Sequence, residues 1–267
     1  MNRRHFVSLA AALPQRKAPK VEIVFKSPGP QPNGLQATKE GLWIIDQGPG
    51  SRVSLVGFSG KLVRNFTTET ERSSGITFDG DTLWIGSTYS RETVRCDALT
   101  GKTIERHPTP GAGVIYKKKG DPPARSSPVP MDQRQVAPKD PLPEPAACVA
   151  GSRALGTGAH GQEWREGRLW SAVPPSRHIY CIEPKTWTVE TMFPVAGNRV
   201  HGIGWDGKYL WAADSNWNAF FKHDVATGAM VEKIQLGDRD PVPHGMTIWD
   251  GWLWYCDDIG LVCRFKL

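Results

Sequence analysis

Three histidines in this chain are each followed by glycine: His160-Gly161, His201-Gly202 and His244-Gly245. Asn33-Gly34 and Ser74-Gly75 open comparable phrases with a neutral polar residue in the same place. Three imidazoles are a common ligand set for zinc, iron or copper, leaving one coordination position open to water or substrate. Imidazoles also move protons near neutral pH, or bond a neighbouring backbone and stiffen it. No short metal-ligand spacing separates these uses, so metal ligation by His160, His201 and His244 and a structural or acid-base role both stand. Asn33 and Ser74 suit hydrogen bonds to a substrate or an ordered water, or a simple turn.

The elements that would position these residues follow from a repeat. Each polar-Gly pair leads into an apolar stretch and then into Leu-Trp or its equivalent: Leu42-Trp43, Leu83-Trp84, Leu169-Trp170, Leu210-Trp211 and Leu253-Trp254. The starts at 33, 74, 160, 201 and 244 are 41, 86, 41 and 43 residues apart, the length of a four-stranded propeller blade. The expected fold is an all-β propeller of five four-stranded blades. A sixth blade is the alternative for the 86-residue interval. Against it, residues 108–150 hold ten prolines and no Leu-Trp pair, so an insertion at about 109–159 is the preferred reading. The last copy has room for three strands, and Val21–Phe25 forms a strand before the first blade; that N-terminal strand is expected to complete the last blade and close the ring.

In such a meander, the residue entering each inner strand and the loop leaving each second strand share one rim. The first set is Asn33, Ser74, His160, His201 and His244. The second includes Asp46, Ser87 to Tyr89, Arg177, Asp214, Asn216, Trp217, Asp257 and Asp258. Of these, Asn33, Ser74, Tyr89, Arg177, Asp214, Trp217 and Asp257 are the candidate substrate contacts, and His201 and His244 the candidate catalytic pair. Asp214, Asp257 and Asp258 would orient the histidines or serve as turn residues. Trp217 lies outside the register of the five blade tryptophans, which are assigned to packing. His107, His178 and His223 fall on outer strands or turns and are read as structural. The insertion emerges on the same rim, carrying Tyr116, Lys117 to Lys119 and Arg125, and would act as a lid.

Composition narrows the function classes. The 267 residues include 28 Gly, 22 Pro and 11 Trp, suited to short strands and tight turns, and no apolar run reaches the ~20 residues of a membrane helix. The net charge of +6 is scattered, which argues against a nucleic-acid partner. Met1-Asn2-Arg3-Arg4-His5-Phe6 followed by an alanine-rich stretch resembles a twin-arginine export signal, so residues 1–20 are expected to be a leader or a disordered terminus and the protein periplasmic or secreted. Five cysteines form no Cys-x-x-Cys pair; Cys96, Cys181 and Cys263 share one strand position and read as buried apolar residues. No Gly-x-Ser-x-Gly elbow, phosphate loop or His-Glu-x-x-His helix occurs.

The phrases Ser74-Gly75-Ile76-Thr77-Phe78-Asp79-Gly80-Asp81-Thr82-Leu83-Trp84 and His201-Gly202-Ile203-Gly204-Trp205-Asp206-Gly207-Lys208-Tyr209-Leu210-Trp211 resemble the blade repeat of streptogramin lyases and gluconolactonase-like propellers. They are also similar to five-bladed glutaminyl cyclotransferases, which carry glutamate where this chain has Asn, Ser or His. The likeness covers about residues 21–108 and 160–267. The lyase resemblance implies a rim histidine, His201 or His244, acting as base beside a divalent metal. The expectation is an exported enzyme that holds a divalent metal (zinc, iron, copper or magnesium) on His160, His201 and His244 and acts on a small-molecule substrate by lyase or hydrolase chemistry. An oxidoreductase with iron or copper on the same histidines and a non-catalytic binding propeller are the alternatives.

Overall fold

A computed structural model describes residues 15–16, 18–114, 157–237, 239–257 and 259–267. The Asp-Gly turn explains why the repeated phrase folds locally. Asp79 accepts hydrogen bonds from the backbone N–H groups of Asp81 (2.9 Å) and Thr82 (2.7 Å) and from Trp84 Nε1 (2.9 Å). Asp206 does the same with Lys208, Tyr209 and Trp211 Nε1. One carboxylate thus closes the hairpin and fixes the tryptophan that follows it, while Gly80 and Gly207 take φ values of +106° and +101° that favour glycine.

Five antiparallel four-strand meanders result, and no α-helix occurs among the described residues. Blade 1 comprises Pro32–Thr38, Gly41–Asp46, Arg52–Val56 and Leu62–Thr67, and blade 2 Ile76–Phe78, Thr82–Ser87, Glu92–Asp97 and Thr103–Pro108. Blade 3 is Gly161–Arg165, Arg168–Val173, His178–Glu183 and Thr188–Pro194. Blade 4 runs through Val200–Trp205, Leu210–Asp214, Ala219–His223 and Met230–Gln235, with Gln15–Arg16 added in parallel at its outer edge. Blade 5 is Met246–Trp249, Trp252–Cys256 and Leu261–Lys266, completed by the N-terminal strand Glu22–Lys26.

The core lies between blades. Trp43, Ile76 and Leu83 pack blade 1 on blade 2, and Trp84, Leu169 and Ile182 pack blade 2 on blade 3. Trp170 and Ile203 join blades 3 and 4, Trp211 and Met246 join 4 and 5, and Trp254 and Leu35 join 5 and 1. The cycle of five apolar interfaces therefore closes without a gap. Thr88 Oγ1 donates to the carbonyl of Ala159 at 2.9 Å, so blade 2 touches blade 3 directly and the 86-residue interval leaves no place for a sixth blade. The five blade tryptophans are all buried here, as their register implies.

Outside the core, three blades repeat a cross-strand stack of tryptophan, cation and glutamate. Arg95 lies over Trp84 and pairs with Glu105, Lys222 lies over Trp211 and pairs with Glu232, and Arg264 lies over Trp254 and pairs with Glu22. The tryptophan faces are thereby covered by a cation whose charge is balanced on the next strand. Cys96, Cys181, Cys256 and Cys263 are buried free thiols. Burial pushes Cys96 and Cys263 up to about 12, which leaves them inert packing groups.

Candidate functional site

The five polar residues reach the axis because each sits in a β-bulge. In blade 4, Val200 pairs with Asp214 and Gly202 with Ala213, so His201 is the extra residue; in blade 1, Asn33 is the extra residue between Pro32 and Gly34. Blade 2 has the same arrangement, with Ser74 N–H donating to the Gly86 carbonyl and Gly86 N–H to the Gly75 carbonyl. In blade 5, His244 N–H donates to Cys256 and Cys256 N–H to Gly245; in blade 3, His160 N–H donates to the carbonyl of Ala172, the residue that Gly161 pairs with. A bulge re-aims one side chain and increases the local twist. Repeated five times, it builds a ring.

The glycine after each polar residue closes the axis below that ring. A Cβ on Gly245 would lie 2.5 Å from Gly34 Cα, one on Gly202 would strike Met246 N, and one on Gly34 would strike the Ser74 carbonyl. A Cβ on Gly75 or Gly161 would lie 3.0 or 3.1 Å from the next inner strand, a looser approach. No water-sized space remains between the inner strands at this level, so the glycines form the floor beneath the ring.

Within the ring the side chains are in contact. Ser74 donates its hydroxyl to Asn33 Oδ1 at 2.7 Å. Because that proton is committed, the 3.3 Å contact between Ser74 Oγ and His160 Nδ1 has the imidazole as donor. His160 Nε2 then accepts from the Thr157 hydroxyl at 3.0 Å. His201 meets His160 edge-on, with ring centroids 4.7 Å apart, and His244 at 4.4 Å. His201 Nδ1 donates to the Arg199 carbonyl at 3.1 Å, with Ser215 Oγ at the same distance, which makes Nε2 the lone-pair atom. His244 is bonded to the backbone of Val242, likewise two residues upstream.

All three rings are neutral. Burial pulls His160 and His244 down to about 3, with the charge of Arg199 adding to it in each. Burial first, then His244 and Arg199, holds His201 well below the ordinary histidine value. Neutral imidazole is the form that ligates metals, but both nitrogens of His160 are engaged in hydrogen bonds. Among the described residues no group of three or more His, Cys, Asp or Glu side chains is arranged to hold a metal ion. With both His160 nitrogens engaged, the described residues do not assemble the three-histidine ligand set.

Other expected contacts lie elsewhere. Asp214 is buried and accepts from the backbone N–H groups of Arg199 at 2.7 Å and Trp217 at 3.0 Å; burial raises its carboxyl against those bonds. Asp46 holds Gln31 and Gly48, and Asp257 holds Ile259 and Leu261, in the same way. These carboxylates tie loops together instead of orienting imidazoles. Trp217 is buried with Ala219 and Phe221 on the side of blade 4, so it is not a wall of the mouth. Tyr89 is 54% exposed on the rim of blade 2. Arg177 is buried and left-handed (φ 55°), ending the short 3-10 turn Pro174–Ser176. Asp258, Tyr116, the lysine run and Arg125 lie outside the described residues, as do residues 1–14, so the lid and the leader are not among the features seen. His178 and His223 bond backbone carbonyls and His107 stacks on Trp187 at 4.0 Å, in agreement with structural roles.

Three site residues escaped the sequence reading. Thr157 and Ser215 fix imidazoles from non-repeating positions. Arg199 precedes His201 by two residues and acts electrostatically on all three rings. Its position two before a ring histidine was the available signal.

No family model matches this chain, and no curated protein matches its sequence. Solved structures do. Myxococcus xanthus glutaminyl cyclase aligns at TM-score 0.56 and 11% identity over 92% of this chain and 94% of its own. Virginiamycin B lyase from Staphylococcus aureus aligns at TM-score 0.53 and 14% identity over 93% and 99%. A streptogramin B lyase aligns at 0.50 and 14% over 92% and 97%. At these identities the likeness is one of fold, and the chain is a five-bladed β-propeller similar in architecture to glutaminyl cyclase and virginiamycin B lyase.

Proposed function

We propose that this propeller is an enzyme that binds a small molecule over the His160–His201–His244 arc and transfers a proton there in a lyase- or hydrolase-type step. The observation that carries the reading is the pair His201 and His244, two buried neutral imidazoles in ring contact, one with its Nδ1 proton fixed on a carbonyl. A neutral imidazole with a committed Nδ1 offers Nε2 as an acceptor for a substrate proton. Its low resting basicity suits a group that takes the proton only as negative charge develops beside it, which is the charge change of an elimination or an acyl transfer. His160, held by Ser74 and Thr157, positions the arc. The enzymes that share the fold lend this reading support by analogy alone.

The test is turnover by the purified full chain of a cyclic depsipeptide lactone, aryl esters and a glutaminyl peptide, with products identified by mass spectrometry. At least one should react, and His201→Ala and His244→Ala should each lower kcat/KM by about a hundredfold or more, the range of a lost general base. Activity that survives both substitutions in folded protein would overturn the proposal. Ligand binding without turnover of any of them would make the chain a binding propeller.

A further inference from the structure

Four side chains at the mouth form one hydrogen-bond chain that runs in a single direction. Thr157 donates to His160 Nε2 at 3.0 Å, His160 Nδ1 to Ser74 Oγ at 3.3 Å, and Ser74 to Asn33 Oδ1 at 2.7 Å. The chain ends on the carboxamide oxygen of Asn33, and because the amide is planar, holding Oδ1 also fixes the heading of the Nδ2 hydrogens. Asn33 is 4% exposed, yet among the described residues nothing accepts from Nδ2. Its place in the ring is set by the blades on either side. A Cβ on Gly245 would lie 2.8 Å from the Asn33 carbonyl oxygen, so blade 5 adjoins blade 1 at this level. Asn33 thus stands between Ser74, which holds its oxygen, and His244, which touches His201. A donor arc that ends at Asn33 Nδ2 therefore meets an acceptor arc that ends at His201 Nε2.

We propose that Asn33 is a further catalytic residue, whose Nδ2 hydrogens bind the carbonyl oxygen of the substrate while the His201–His244 pair moves the proton. The inference rests on the reading of the mouth as a proton-transfer site and adds the substrate class, an ester, lactone or amide. In hydrolysis the oxygen of water bonds to the carbonyl carbon, its proton passes to an imidazole, and the carbonyl π pair moves onto oxygen. When that pair returns, the bond to the leaving group breaks and the leaving group takes the proton. In elimination the imidazole takes the proton beside the carbonyl, and the C–H pair becomes an enolate. Its return expels the leaving group from the next carbon, and the proton goes to that group. Both steps place negative charge on the same oxygen, where pre-oriented N–H donors act most strongly. The bond accepted at Oδ1 also polarises the amide and strengthens its N–H groups as donors. Unpaired donors in a buried site reject a ligand that offers no acceptor.

The experiment titrates the full chain with tetrahydropyran-4-one and tetrahydropyran, which differ by one carbonyl oxygen, and follows the side-chain amide signals by 15N NMR. The ketone should bind at least tenfold tighter than the ether and shift the Asn33 N–H2 signals. Asn33→Asp keeps an acceptor for Ser74 but has no N–H2, so it should lose the preference. Ser74→Ala frees the amide to turn and should lose part of it. On any substrate that turns over, Asn33→Asp should lower kcat by about a hundredfold with KM little changed, as expected of a donor that acts in the transition state. Should Asn33→Asp fail to fold, the wild-type Asn33 shift and the weaker preference of Ser74→Ala decide. Equal binding of ketone and ether, a preference unchanged in Asn33→Asp, or Asn33 signals that the ketone leaves unmoved would overturn the proposal. So would turnover that falls in His201→Ala and His244→Ala but stays at the wild-type level in Asn33→Asp, a result that leaves the proton-transfer reading standing. A carbonyl preference that needs Asn33, in a chain that turns over no ester, lactone or amide, would keep the carbonyl site and remove the catalytic reading.

Discussion

Arg264 Nε lies 3.0 Å from Glu22 Oε2, although 242 residues separate them in the chain. The pair belongs to the strand Glu22–Lys26, which runs antiparallel to Leu261–Arg264 and turns an open row of five sheets into a ring. Loss of the ion pair alone, as in Glu22→Ala, should cost no more than about 1 kcal/mol, because both side chains are substantially exposed. Deletion through residue 26 should cost far more, since it uncovers an edge of blade 5; the melting temperature should fall by roughly 10 °C or more. Thermal unfolding of the two variants side by side checks this. Equal melting temperatures for the truncated and intact chains would show that the strand does not close the ring.

The glycine floor makes a second prediction. Gly245→Ala sets a Cβ 2.5 Å from Gly34 Cα, backbone against backbone, with no flexible side chain to give way. Overpacking of this kind costs about 1–3 kcal/mol. Gly57→Ala is the control, since the nearest atom to its Cβ is the Lys61 carbonyl at 3.8 Å. Denaturant unfolding should separate the two clearly.

The neutral histidines set the acid limb of stability. His160 and His244 titrate near 3 in the fold against an ordinary value of 6.5, because burial opposes the charged form. Between those values the unfolded chain binds protons that the native chain does not, so stability is full above pH 6.5 and falls as pH drops towards 3. Each ring contributes at most about 1.4 kcal/mol per pH unit in that window. Unfolding free energies for wild type and His244→Asn at pH 7.5, 5.5 and 4.5 should show the smaller acid loss in the variant; parallel curves would contradict a neutral buried His244.

Glu163 acts in the opposite direction. It is buried on the inner strand of blade 3, its Oε2 has no hydrogen-bond partner among the described residues, and burial raises its carboxyl to about 8. Between its ordinary value of 4.5 and 8 the unfolded chain has lost a proton that the native chain retains, so this residue lowers stability progressively as pH rises through that window. Glu163→Gln keeps the shape without the ionisation. Its advantage over wild type should be small at pH 5 and grow to several kcal/mol, on the order of 1.4 per pH unit, by pH 8. An advantage that does not change with pH would rule out a raised carboxyl.

The blades were legible because their signals are local. Asp79-Gly80 and Asp206-Gly207 carry turn chemistry that works within three residues, and Trp84 and Trp211 mark the next strand by hydrogen bonds to those same aspartates. The polar-Gly pairs likewise announced the ring. Trp217 and Asp214 show where local reasoning stops. Asp214 ends the second strand of blade 4 and Trp217 follows it on the expected rim, yet the chain folds so that Asp214 holds backbone N–H groups and Trp217 packs beside Phe221.

From sequence alone came the all-β class, the five-fold repeat, the N-terminal strand that closes it and the five residues of the mouth, because strand alternation, turn residues and blade length are written in short stretches of chain. Only the tertiary structure decided that His160 has both nitrogens occupied and that His201 lies in ring contact with both His160 and His244. Those facts depend on how five bulges from distant parts of the chain face one another once the ring is shut. Spacing along one strand carries no information about that.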